Sequence, residues 1–137
     1  MSIVLDTNVL VSGLLRRSGP PGRIIDLVVT GQVRVTLDAR IFSEYCDVLL
    51  RPEFGFSRAG VLDLVDFLWL ASERVVPKPL SLRLPDPDDA MFVEVAVAGW
   101  VSALVTGNAR HFPVDQRQGV RVLNPRHWLE EWVAKRA

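Results

Sequence analysis

Met1-Ser-Ile-Val-Leu-Asp-Thr-Asn-Val-Leu10 opens the chain, and its reading decides the fold. Ile3, Val4 and Leu5 form an unbroken apolar run, the pattern of a parallel strand buried on both faces, and the run stops at Asp6. A carboxylate is therefore expected at the carboxyl end of an innermost strand. In open α/β sheets ligands bind at that edge, where neighbouring strands connect in opposite directions. Asp6, Thr7 and Asn8 place three oxygen-bearing side chains there, before Val9, Leu10, Val11, Leu14 and Leu15 resume with helical spacing. Thr7 or Asn8 is expected to cap that helix, which leaves Asp6, the last residue of the strand, for another task.

Outward from this stretch, strands and helices alternate. Arg16 and Arg17 begin a turn-rich break that runs through Pro20, Pro21 and Gly22. A helix bearing Ile24, Ile25, Leu27, Val28 and Val29 follows and ends at Gly31. Val33–Leu37 alternates like a strand with one more exposed face, and Asp38 opens a helix that Pro52 terminates. Ser57 is read as the N-cap of a helix carrying Val61, Leu64, Val65, Leu68 and Trp69. Arg74–Val76, Val101–Val105 and Val120–Leu123 are read as the remaining strands, and Asn124-Pro125 caps a terminal helix with Trp128, Leu129, Trp132 and Val133. Five strands alternating with helices predict one α/β domain over residues 1–137 with a parallel sheet. If the first and fourth strands are central neighbours, Asp6 and the Thr106–Asn108 segment share one crevice.

The bulk composition narrows the function classes. At 137 residues, 49% of them hydrophobic, the chain is long enough to bury a core without disulfide or metal staples. Sixteen basic and sixteen acidic residues cancel, which argues against holding nucleic acid through overall charge and leaves a local basic rim open. Fourteen of the basic residues are Arg, but a base-composition bias produces the same count, so no partner is read from it. Cys46 stands alone, which points to a reducing compartment. No basic-then-apolar leader precedes the first strand. The segment from Phe92 to Val105 is shorter than the roughly twenty apolar residues of a span. A cytoplasmic protein away from any membrane is expected.

Two further acidic foci stand out. Glu44 lies three residues after Ile41 and four before Val48, on or beside the stripe that should face the sheet. A carboxylate pointing inward is costly unless a metal, an Arg or a wet cleft compensates it, and a Glu at the edge of the stripe that reaches solvent remains open. In Asp86-Pro87-Asp88-Asp89, Asp86 fits a helix N-cap and Pro87 the first helical position, which accounts for Asp86 and for Asp88 in the first turn. Asp89 tops the stripe of Phe92, Val93 and Ala96 and should face the same sheet edge as Asp6.

Asp6, Glu44 and Asp89 thus come from three separate elements and can converge. Acids packed together raise one another's pKa unless a divalent cation neutralises them. Oxygen ligands without a Cys or His cluster point to Mg²⁺ or Mn²⁺ and away from a zinc cage. Such a site would position and deprotonate a water for attack on a phosphodiester and stabilise the leaving oxygen.

Four blocks of the chain resemble a known family: Val4–Asn8, Ser43–Leu49 with Arg51–Phe54, Asp86–Asp89 with Phe92, and Val105–Asn108. In content and order they are similar to the PIN-domain nucleases, most closely the branch of bacterial toxin–antitoxin toxins related to VapC. The resemblance covers nearly the whole chain. It implies a five-stranded parallel sheet in the order 3-2-1-4-5 with helices on both faces. It also implies a metal-dependent endoribonuclease, a homodimer and a cognate antitoxin partner. By motif position Asp6, Glu44 and Asp89 are the metal-binding and catalytic acids, with Thr7, Asn8, Asp86, Thr106, Asn108 and His111 supporting them. Where the family commonly has a fourth acid, this chain has Asn108 and then His111, for which as a lone histidine a surface role is expected. Asp115 is close enough in sequence to take the acid's place. Single-stranded or looped RNA suits a cleft that must reach a splayed backbone. Arg16, Arg17, Arg51 and Arg110 are candidates for its basic rim, against the ordinary reading of charged loops as solvated. Trp69, Trp128 and Trp132, among apolar neighbours, belong to a core or dimer interface rather than to base stacking.

Two other classes compete with the nuclease. A catalytically degenerate PIN-like module that binds RNA or protein would account for Asn108 and His111, and would keep its RNA affinity without Mg²⁺. A phosphorylatable receiver domain also gathers acids at strand ends. It fails on order, because no Asp ends the third strand and Lys78 follows it.

Overall fold

A computed structural model of the chain describes residues 1–136. Its centre is β1 (Ser2–Leu5), where Ile3, Val4 and Leu5 are fully buried, as the apolar run predicts. Burying a side chain of this size stabilises by about 1.5–3 kcal/mol, so the strand that ends in Asp6 is firmly held. β1 pairs in parallel with β2 (Arg34–Leu37) on one side and with β4 (Ala103–Val105) on the other. β3 (Glu73–Arg74) and β5 (Val122–Leu123) complete a parallel sheet in the order β3-β2-β1-β4-β5. The receiver-type doubly wound fold runs 2-1-3-4-5 instead, which removes that competing reading. The connections reverse direction between β1 and β4, so the crevice above their carboxyl ends is the switch point.

Helices cover both faces of the sheet. α1 (Thr7–Leu15) and α2 (Pro20–Val29) cross closely, and α2 packs on the terminal α6 (Pro125–Ala134). The close crossing needs Gly13, since a Cβ there would meet Ile25 Cδ1 at 2.5 Å and the Pro21 carbonyl oxygen at 2.9 Å. α3 (Ala39–Leu49) packs on α4 (Arg58–Ala71), and α5 (Ala90–Ala98) lies against β1, β2 and β4. The caps fall where the residue types place them: Asp38 accepts from the Ile41 amide, Ser57 from Gly60 and Asn124 from His127. Trp128 and Trp132 are buried and stacked with ring centroids 5.6 Å apart, and Trp69 tilts against Phe42. Among the described residues no helix is long and apolar enough to cross a membrane.

Three local expectations need correction. β2 has no exposed face beyond Arg34: Val35, Thr36 and Leu37 are all buried, because β2 is an inner strand between β1 and β3. The third strand sits one residue earlier than its apolar residues suggest, at an edge where Glu73 and Arg74 are exposed. Neither Thr7 nor Asn8 caps α1. They are its first two residues, and their side chains turn to other segments.

Candidate active site

The site is built from the carboxyl ends of β1 and β4. Asp6 follows β1, and its amide donates to the Val105 carbonyl at 2.9 Å, which continues the β1–β4 ladder. One residue earlier, the buried Tyr45 hydroxyl donates to the Leu5 carbonyl at 2.5 Å and ties α3 to the end of β1. Tyr45 reads in the sequence as one more apolar position of the α3 stripe, so this positioning role was missed. Thr106, fully buried after β4, accepts from the Asn108 amide at 3.0 Å and so directs its own hydroxyl hydrogen to Asp6 Oδ2 at 2.8 Å. Asn8 closes the junction: its Oδ1 accepts from the Gly107 amide at 3.1 Å, and its Nδ2 lies 3.4 Å from Asp6 Oδ2.

Glu44 comes in from α3, half-buried, with Oε2 accepting a short hydrogen bond from the Thr7 hydroxyl. Asp89 comes from the other flank. Asp86 caps a single 3-10 turn, Pro87–Asp89, by accepting from the Asp88 amide at 2.9 Å, and Asp89 then begins α5. The predicted first helical turn is thus a tighter 3-10 turn, and Asp86 and Asp88 are exposed while Asp89 is turned inward.

His111 is a surface residue, its side chain 42% exposed as expected of a lone histidine, and it lies beside this cluster. Its Nε2 lies 2.9 Å from Asn108 Nδ2 and its Nδ1 3.3 Å from Asp89 Oδ2. The 3.3 Å approach is within ion-pair range but lacks hydrogen-bond geometry, so Asp89 Oδ2 is a buried oxygen with no hydrogen bond among the described residues. Asp115 lies exposed on the β4–β5 connection, beside Gln116.

The acids perturb one another. Burial pushes the Asp6 carboxyl above its ordinary range. The Thr106 hydrogen bond opposes this, as do the Asn8 and Thr7 amides, which face the carboxylate from the start of α1 without forming a cap. Burial also raises Glu44, against the Thr7 hydrogen bond, and the charges of Asp6, Asp86 and Asp88 add to the rise. Asp89 is pushed up to about 6, first by burial and then by Asp6 and Asp86, with His111 pulling the other way. Among the described residues no three Asp, Glu, His or Cys side chains stand close enough to surround an ion. Glu44 is turned toward Thr7 and Asp89 toward His111.

The four arginines expected at a basic rim are exposed. Arg17 pairs with Asp26 and Arg51 with Asp47, while Arg16 and Arg110 stand without an ion pair among the described residues. A second polar cluster, invisible in the sequence pattern, joins three elements just beyond the acids. Arg40 pairs with both Asp38 and Glu94, and Glu94 Oε2 accepts from the Leu80 amide at 2.7 Å. Burial opposes the charge of Arg40, but these two carboxylates raise its pKa on balance.

The fold and the site together define a doubly wound α/β domain with an acidic cluster at its switch point. A family model described as the PIN domain matches residues 2–110, and the chain belongs to that family. Among solved structures, the chain is similar to one in the crystal structure of VapBC2 from Rickettsia felis bound to a DNA fragment from their promoter. The two share 13% identity over 90% of this chain and 98% of that one, with a TM-score of 0.59, a likeness of fold. No curated protein matches the sequence.

Proposed function

We propose that this protein is a metal-dependent endoribonuclease and the toxin of a toxin–antitoxin pair. The observation that carries the reading is the gathering of Asp6, Glu44 and Asp89 at the switch point, each with its pKa raised, Asp6 adding to the rise of both Glu44 and Asp89 and Glu44 to that of Asp89. Clustered carboxylates with shifted titrations mark a functional site more often than a structural one. The donor set suits a hard divalent cation: all the acids offer oxygen, and Asp89 Oδ2 is buried without a hydrogen bond. Asp6, Glu44 and Asp89 are the residues that would hold Mg²⁺ or Mn²⁺, once Glu44 turns from Thr7 and Asp89 from His111 to close on the ion. When bound, the ion would supply an activated water and charge stabilisation for phosphodiester hydrolysis.

The chain's own residues do the rest. Thr106 and Asn8 fix the Asp6 carboxylate, Thr7 holds Glu44 against α1, and His111 with Asn108 flanks Asp89 at the position of the missing fourth acid. The open edge above β1 and β4 lets a splayed single strand present its backbone to these groups. Family membership supports the nuclease, and we extend it to a cytoplasmic, homodimeric toxin that a cognate antitoxin neutralises.

A second reading, a degenerate module that binds RNA or protein without cutting, is favoured by the Asn108–His111 pair alone. Cleavage of a mixed structured RNA pool with Mg²⁺, Mn²⁺ or EDTA separates the two. Metal-dependent cutting by the wild type that disappears in Asp6→Asn supports the nuclease. Metal-independent RNA or protein binding with no cutting supports the module.

A further inference from the structure

Beside the acids, a cavity of about 310 Å³ is lined by Asn8, Ser12, Pro21, Gly107, Asn124 and Arg126. Asn8 and Gly107 are the residues that close the Asp6 junction, so this cavity adjoins the site. A second cavity, of about 400 Å³, lies between α2 and α6 and is lined in part by Arg23, Leu129, Glu130 and Val133. Pro20 and Arg126 line both, so the two cavities are neighbours. Arg23 and Arg126 are exposed, and among the described residues neither is in an ion pair. Glu130 is the one acid in the lining.

This charge pattern is the opposite of the one at the cluster. A polyanion placed over Asp6, Glu44, Asp86 and Asp89 is repelled, so its remaining phosphates need cations within reach along its path. None of Arg16, Arg17, Arg51 and Arg110 lines either cavity. We infer that the two neighbouring cavities act as one cleft that holds the single-stranded RNA on one side of the cut bond, with Arg126 and Arg23 on its phosphates. Pro20, Pro21, Leu129 and Val133 give the sugars and bases an apolar wall. The inference rests on the nuclease reading and adds to it the path of the substrate.

The test compares wild type, the double variant Arg23→Ala/Arg126→Ala and a control, Arg34→Ala, at the opposite, amino-terminal end of the sheet. Binding of a short fluorescein-labelled single-stranded RNA is measured in EDTA across a salt series. The double variant should bind roughly tenfold more weakly, and its salt slope should flatten by about 1.4, near 0.7 for each lost phosphate contact. Arg34→Ala should change neither. In Mg²⁺ or Mn²⁺ the double variant should show a raised KM with kcat within about twofold, the signature of lost uniform binding. An unchanged affinity and slope, beside normal metal-dependent cleavage by the wild type, would overturn the cleft and leave the nuclease standing; a protein or peptide would then be the occupant. A wild type that neither cuts nor binds RNA overturns both readings.

Discussion

Helix α5 and the N-cap residue before it carry two carboxylates little more than a turn apart in contrasting surroundings. Glu94 is buried with a guanidinium 2.7 Å from one oxygen and the Leu80 amide 2.7 Å from the other. Asp89, at the start of the same helix, has acids around it, one histidine at 3.3 Å and an oxygen without a hydrogen bond. Both lost water on folding, but only Glu94 was given a replacement for it. A compensated acid holds the fold together, whereas an uncompensated group of acids costs stability unless a cation neutralises it. That cost is the physical trace of the site.

The contrast is broken most severely at Asp6. Asp6→Asn should lower metal-dependent RNA cleavage by about a hundredfold or more, since a ligand and its charge go together. Its fold should stay intact, with stability equal to or slightly above wild type; circular dichroism and thermal melting check this. A mutant that unfolds, or one that cuts at full rate, sinks the assignment.

Next in size is the pH dependence set by Asp89. Its folded pKa of about 6 lies above the unfolded value near 3.8, so the folded state holds the proton more tightly. The contribution to stability is fully present below pH 3.8 and is lost as pH rises through 6. With Mg²⁺ and Mn²⁺ removed, the loss should reach about 3 kcal/mol. Asp89→Asn should remove most of that loss, and added Mg²⁺ should raise the melting temperature at pH 7.5 but hardly at pH 4.5. A metal-free protein whose stability is flat from pH 4 to 7 would show that Asp89 is no more strained than Glu94.

Glu94→Gln probes the other side of the comparison. The amide can still accept from Leu80 but loses the charge facing Arg40, and the cost should be about 2 kcal/mol. Urea unfolding should show a lower midpoint at an unchanged slope. No shift would mean that this ion pair contributes nothing net. The smallest effect is expected at Thr36, whose hydroxyl is buried in β2 without a partner. Thr36→Val should stabilise by about 1 kcal/mol in the same assay, as removing an unsatisfied polar group does. A loss of stability there would mean that the hydroxyl has a partner after all.

Much of the architecture was legible in local chemistry. The buried run Ile3–Leu5, the caps at Asp38, Ser57 and Asn124, and the Pro at the start of α6 are each decided by a few neighbouring residues. What escaped depends on contacts between distant segments. Thr7 and Asn8 look like caps until Glu44 and Gly107 arrive from 37 and 99 positions away. Arg34, one charged residue, made β2 look half exposed, although its neighbours across the sheet decide its burial. Asp6, Glu44 and Asp89 stood out because each breaks or tops an apolar pattern. His111, in a loop between β4 and β5, breaks none, and only the path of that loop brings it to Asp89. Arg23 and Arg126 are ordinary exposed arginines until two helices face each other.

The hydrogen bond from Thr106 to Asp6 spans 100 positions, and β1 has no partner on that side until β4 exists. During synthesis the ribosome therefore releases Asp6 and Glu44 long before the segment that orders them. A chain stalled short of β4 carries acids but no assembled edge, so any activity of the site is withheld from the machinery that makes it until β4 has emerged.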